Sequence, residues 1–309
     1  MVKLLSLSVL SVMLAFGQNV VTLIVDVDNV VAYRSDIADP NRRGTDSTPS
    51  TPGAVRAFTD LLFVGDIVAV NGRPAKGLWT SRQFQMNFSP TPQPGFGVAD
   101  VTRGTLADCK WEFLDADGAF VGAIVDSGYQ PHAVGGGVGA FYGIRGQMGA
   151  PITNPNPRAI RAASMSEDPA LRRTLGGGTT RIAFHLIPAF RPEIVAVYDE
   201  RFRPISEANP ARRGATLILQ ASGLGPATPG TTPAGAAQFP VEPLHQVNSP
   251  VEVLVGSRAL PVLNKVGWPG TTDAYRVDFQ LPAGIEGDSV KLQLTAAWIP
   301  GGVVEIPVR

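Results

Sequence analysis

Residues 132–147 read His-Ala-Val-Gly-Gly-Gly-Val-Gly-Ala-Phe-Tyr-Gly-Ile-Arg-Gly-Gln. Six glycines stand among apolar residues, with one arginine and no run of charge. Glycine is used where the backbone must turn at positive φ or approach another strand closely. A cluster this dense, feeding into Ala-Phe-Tyr-Gly-Ile-Arg, predicts a tight corner entering a β-strand, as a closing barrel requires. The chain has no GxGxxG between a strand and a helix and no GK[ST], so a nucleotide loop is not the reading.

Just upstream, two β-rich runs flank Asp117-Gly118, a signal for a two-residue type I′ turn. Such a turn pairs Phe113 with Gly122, Trp111 with Ile124 and Cys109 with Asp126, all on one face. That face is mostly apolar and is expected to point inward. A thiol and a carboxylate are then expected to meet near one end of the barrel interior. Asp-Ala-Asp-Gly at 115–118 resembles the start of a calcium loop, but no glutamate follows at the required spacing, and a turn is preferred.

Further out, Val20 to Val31 is β-branched and reads as a long strand, with Asp26 and Asp28 on one face and Val25 and Val27 on the other. The carboxylate pair reads as a solvated strand face, with a cation site or an acid–base pair as the alternative. Residues 34–53 read as a surface loop. Phe58 to Val70 is a strand, and Asn71-Gly72 marks a hairpin into Leu78 to Phe88. In that run Leu78, Thr80, Arg82, Phe84, Met86 and Phe88 share the more apolar face. Arg82 there needs a partner, a ligand or an edge from which it reaches water. Ser89 to Gly97 reads as a proline-rich loop. Asp168 is expected to cap a short helix starting at Pro169. Thr179 to Pro188 is the last strand of this part. From Pro192 onward, short strands at 10–15-residue spacing read as an antiparallel sandwich, interrupted by a Pro/Thr/Gly/Ala loop over 226–240.

The N-terminus carries Lys3, an apolar run from Leu4 to Phe16, and Ala15-Phe16-Gly17 with small residues at the right spacing for cleavage before Gln18. This predicts a signal peptide over 1–17 and an exported chain destined for the extracellular space, cell surface or periplasm. No other segment is long and apolar enough for a transmembrane helix. Lys+Arg and Asp+Glu both number 26, which gives no reason to expect a nucleic-acid partner. The single cysteine, Cys109, excludes an internal disulfide and a CxxC zinc site. It reads as a small buried hydrophobe, with a nucleophile as the alternative. His132, His185 and His245 are isolated, without HExxH spacing, and no GxSxG elbow occurs. No metal and no cofactor are expected.

Two resemblances sharpen this. Ala133 to Gly146 resembles the glycine-rich segment of the allene oxide cyclase and dirigent barrel proteins. The match lies at Gly136, Gly137, Gly139, Phe141, Arg145 and Gly146, and the chain departs at Val138, where the family has Thr. The resemblance implies an eight-stranded antiparallel barrel with an apolar cavity, lined by Arg145, and cofactor-free cyclisation or guidance of reactive intermediates. Gly223-Leu-Gly-Pro, 247–256, 275–282 and the terminal Ile306-Pro-Val-Arg resemble the Ig-like (IPT/TIG-type) C-terminal domain of exported acidobacterial proteins. That resemblance implies an accessory or interaction module.

The expected fold class is all-β, an eight-stranded antiparallel barrel over 18–190 followed by an Ig-like β-sandwich over 191–309. The leading functional expectation is a non-catalytic exported protein. Its barrel would bind a small apolar ligand, or a protein or cell-surface partner. The alternatives are a cofactor-free cyclase or dirigent-like enzyme using Arg82, Cys109, Asp126 and Arg145, and a purely structural envelope role. The enzyme reading requires those four residues to converge on an open pocket; a barrel filled by its own aromatics argues against it.

Overall fold

Nine strands form in the first half of the chain, and eight of them close into a ring. The computed structural model describes residues 20–34, 57–87, 104–128, 131–228 and 238–309. The expected signal peptide, most of the loops at 34–53 and 226–240, and all of the loop at 89–97 lie outside these residues. The strands are β1 (Val21–Arg34), β2 (Ala57–Val70), β3 (Arg73–Asn87), β4 (Gly104–Leu114), β5 (Phe120–Gly128), β6 (His132–Gly139), β7 (Arg145–Pro151), β8 (Arg161–Ser164) and β9 (Gly178–Ile187). Antiparallel pairing runs β2-β3-β4-β5-β6-β7-β9-β1, and β1 pairs with β2 to close the barrel. β8 lies outside the ring, parallel to the end of β1. Val31, Tyr33 and Ala163 form a small second core beneath it.

The bore is filled by the chain's own side chains. Leu23, Val25 and Val27 of β1, Trp79 of β3, Trp111 and Phe113 of β4, Ile124 of β5 and Phe184 of β9 form one buried cluster. Trp79 stacks on Trp111 at 5.1 Å, and Phe184 meets Trp111 edge-on at 5.0 Å. Phe113 lies 5.1 Å from Phe141. Each such pair adds about 0.5–1.5 kcal/mol to the burial of its surface.

The hairpins follow the sequence with two changes. Asn71 and Gly72 both take positive φ, as a type I′ turn requires. Between β4 and β5 the loop is longer than two residues. Asp115 N donates to Ala119 O, and Asp115 Oδ1 accepts from the backbone of Asp117 and Ala119. A bulge between Phe113 and Leu114 absorbs the extra length, so Cys109–Asp126, Trp111–Ile124 and Phe113–Gly122 still pair. The glycine cluster is also placed differently from expectation. Gly135, Gly136 and Gly137 lie within β6, and the corner is Ala140–Gly143. Phe141 folds back over β6 so closely that a Cβ on Gly137 would stand 2.5 Å from its carbonyl oxygen. Near Asp168, a single helical turn, α1 (Leu171–Thr174), begins two residues later than expected.

The second half contributes β10 (Glu193–Asp199), β11 (Thr216–Ser222), β12 (Ala227–Thr228), β13 (Gln246–Val247), β14 (Val251–Val255), β15 (Arg258–Pro261), β16 (Asn264–Gly267), β17 (Tyr275–Gln280), β18 (Ser289–Ala296) and β19 (Ile299–Pro307). They form two antiparallel sheets, β10-β11-β17-β16-β13-β12 and β15-β14-β18-β19. Leu217, Leu219, Val277 and Phe279 of the first share one core with Val253, Leu292, Leu294 and Ile306 of the second. This is the packing of a sandwich. Its β18–β19 turn enters the barrel core. Ala297 and Trp298 take positive φ, and Ala297 and Ile299 are buried in the barrel cluster. Trp298 lies 5.4 Å from Phe113. Asn248 Nδ2 adds a 2.8 Å hydrogen bond to Phe120 O. Among the described residues no helix is long and apolar enough to cross a membrane.

Candidate functional site

Strands β3 to β6 bring four polar side chains together inside the bore. The antiparallel register sets Ser81 opposite Cys109 and Cys109 opposite Asp126. His132 opens β6 two residues before Val134, which pairs with Asp126, and its ring turns inward. All four side chains are buried. His132 Nδ1 stands 2.6 Å from Asp126 Oδ1, and Trp111 Nε1 donates to Asp126 Oδ2 at 2.7 Å. The Cys109 thiol donates to Ser81 Oγ at 3.1 Å, and its sulfur lies 3.7 Å from His132 Nδ1.

These distances decide the chemistry. At 2.6 Å one proton lies between Nδ1 and Oδ1, so Nδ1 is taken up by Asp126. The same nitrogen faces the sulfur and has no lone pair left to take a thiol proton. A Cys-His-Asp relay needs the acid and the nucleophile on opposite ring nitrogens. The thiol is also far from activated. Burial, followed by the nearby negative charge of Asp126, raises it from 9.0 to about 12. Cys109 is therefore a protonated interior thiol at neutral pH.

The remaining candidates lie elsewhere. Arg82 is exposed on the outside of β3, where its register partner is Asp108 of β4. The enzyme alternative needs Arg82 at the cavity; instead Trp79 and Ser81 point inward, with Trp79 stacked on Trp111 in the bore, and Arg82 points outward. Arg145 is exposed on β7 and lies outside the bore, contrary to the resemblance. Gly146 and Met148 pair with the inward residues Leu186 and Phe184, so residue 145 points outward by the two-residue period of a strand. His132 was missed as a site residue, since no spacing links it to Cys109 or Asp126. The available signal was strand pairing carried one strand further.

Asp26 and Asp28 face a groove of about 700 Å³ on the outer wall, shared with Asn154, Asn156, Arg158 and Arg181. Both carboxylates are already in ion pairs. Arg181 Nη2 donates to Asp26 at 2.8 Å, and Arg158 donates to Asp28. Nearby, Asp66 accepts from Arg172 at 2.6 Å, from Arg173 at 2.9 and 3.0 Å, and from Asn29 Nδ2 at 3.0 Å. Burial opposes its charge, but the bonds from Arg173, Arg172 and Asn29 outweigh burial and hold the carboxyl well below the usual range. This cluster fastens α1 to the bulge of β1.

Fold and site together define a class: an all-β protein with a closed eight-stranded barrel, a packed bore carrying a buried Ser-Cys-Asp-His group, and two further antiparallel sheets. Compared with models of known families, with curated proteins and with solved structures, the chain matched none.

Proposed function

We propose that the protein is an exported binding protein that meets its partner with its outer surface and uses the barrel as a rigid body rather than as a ligand calyx. The observation that carries this reading is the packed bore. Trp79, Trp111 and Phe184 fill its middle, and Trp298 covers Phe113 at one end. On the outer wall, Val125 of β5 and Val138 of β6 are about half exposed beside the open backbone of Gly136. That strip offers a flat apolar contact next to the Lys110–Glu112 ion pair of β4. The resemblance of the second half to IPT/TIG-type modules supports an accessory, surface-binding role in the same direction.

The cyclase or dirigent-like alternative needs four polar residues around an open cavity. Arg82 and Arg145 lie outside the bore, and Cys109 is protonated, so no observation favours it.

Two measurements test the proposal. Native mass spectrometry of the chain after incubation with lipid and phenolic extracts is expected to show no bound small molecule. A stoichiometric adduct would return the bore to the role of a ligand site. Retention of the chain on envelope preparations is expected to fall at least tenfold when Val125→Lys and Val138→Lys are combined. Unchanged retention by the folded double variant removes the outer strip from the proposal.

A further inference from the structure

Four features of the buried polar group point the same way. First, the Cys109 sulfur, one carboxylate oxygen of Asp126 and one ring nitrogen of His132 lie within 4.8 Å of one another. Zinc bonds of about 2.0–2.3 Å place tetrahedral ligand atoms roughly 3.2–3.7 Å apart. The sulfur–nitrogen separation is already 3.7 Å, and the 2.6 Å nitrogen–oxygen contact opens to that range by turning one carboxylate. Second, the donor set is soft sulfur, imidazole and carboxylate, which suits a zinc-class divalent cation over calcium or magnesium. Third, a support and a fourth ligand atom are present. Trp111 Nε1 holds the second oxygen of Asp126 from outside, and Ser81 Oγ stands 3.1 Å from the sulfur as a further oxygen ligand. Fourth, Trp79, 7% exposed, buries an indole N–H that has no hydrogen-bond partner among the described residues, and Trp79 is one of the groups that favour the charged form of the Cys109 thiol. A buried N–H left over beside a thiol is expensive, and a thiolate is the acceptor it suits.

We propose that Cys109, Asp126 and His132 bind one divalent transition-metal ion of the zinc class inside the barrel, with Ser81 at the remaining position and Trp79 donating to the metal-bound thiolate. On binding, the thiol proton leaves to solvent and the neutral imidazole adopts its Nε2–H tautomer, freeing Nδ1 for the metal. The two charges of the cation are then balanced by one thiolate and one carboxylate, so the assembly buried in the bore is neutral. Four protein side chains from four adjacent strands hold the ion, so it ties β3, β4, β5 and β6 together from within.

Cobalt supplies the test. The full chain is unfolded with a chelator, dialysed, and refolded with Co²⁺, with Zn²⁺ or with no metal. The expected result is one equivalent of bound metal, the visible absorption of tetrahedral cobalt, and a near-ultraviolet thiolate-to-cobalt band. Cys109→Ser, nearly the same size, loses the near-ultraviolet band, and His132→Gln loses metal stoichiometry. Trp79→Phe keeps an aromatic ring in the bore but weakens binding about tenfold. Circular dichroism of the metal-free samples reports folding separately, and Asp28→Asn, outside the site, keeps full binding. Folded wild-type chain that takes up no cobalt overturns the proposal. So does a thiolate-type band that survives Cys109→Ser.

Discussion

Gly136 and Gly137 are neighbours in β6 that tolerate a side chain very differently. A Cβ on Gly137 meets backbone oxygens of Phe141 and Ala123 at 2.5 and 2.8 Å, whereas one on Gly136 meets nothing within 4 Å. Gly137→Ala is expected to lower stability by about 2 kcal/mol, and Gly136→Ala to change it by less than about 0.5 kcal/mol, in urea unfolding. Equal effects would mean that Phe141 does not press on β6. At the same level of detail, Cys109 is sealed and protonated. In metal-free chain, alkylation at neutral pH is expected to proceed only at the rate of unfolding, read by mass spectrometry. Labelling within minutes in native buffer would contradict the buried placement. The sequence reading reached part of the site. The meeting of Cys109 with Asp126 was legible because a hairpin turn dictates which residues face each other. His132 was not, because it joins across the next pair of strands, where the ladder slips between Val125 and Asp126. Arg145, and Arg82 in the enzyme alternative, were assigned to the cavity but lie outside it for a simpler reason: strand parity is set by which side chains pack best inside. Two stacked indoles and a close-packed Gly146 decided it.

Among the elements, α1 has too few residues to be stable alone, and its place depends on the Asp66 cluster. Arg172 is buried there, and Arg173 is mostly exposed. Arg172→Ala is expected to cost about 3 kcal/mol, since it strips a buried carboxylate of its best partner, and Arg173→Ala less than about 1 kcal/mol. The pH dependence follows from the lowered Asp66 carboxyl. Its contribution is complete above the unfolded value near 4 and fades as pH falls toward the lower folded value. Asp66→Asn is therefore expected to flatten the acid limb of the stability curve below about pH 4, in urea midpoints measured across pH. An unchanged limb would show that other carboxylates govern it. The strands themselves were largely readable from alternation and turn residues. What was not readable was how the barrel handles irregularity. The longer turn at Asp115–Ala119 and the bulge at Phe113 cancel, so the expected register survived although the expected turn did not. The outer β8 escaped notice because four residues of Arg-Ala-Ala-Ser carry no strand signal of their own.

For the molecule as a whole, the β18–β19 turn joins the two halves, beside the Asn248–Phe120 hydrogen bond and the Arg73–Glu252 ion pair. The sequence reading gave everything from Pro192 onward to the sandwich, so nothing marked Trp298 as belonging to the barrel core. Trp298 takes a positive φ, which a bulky aromatic rarely does, and that conformation is seen only in the structure. Trp298→Ala is expected to cost about 3 kcal/mol and to split unfolding into two transitions, one followed by the barrel tryptophans and one by calorimetry of the sandwich. A single unshifted transition would mean that the halves are coupled elsewhere. The placement of Trp298 also bears on timing. The aromatic mouth of the barrel at Phe113 is synthesised long before the residue that covers it, and that residue reaches its position only after β18 and β19 have paired. The first-made half must therefore wait, with its mouth wet, for one of the last-made hairpins. Chains cut before residue 297 are then the ones that chaperones and proteases are expected to recognise as unfinished.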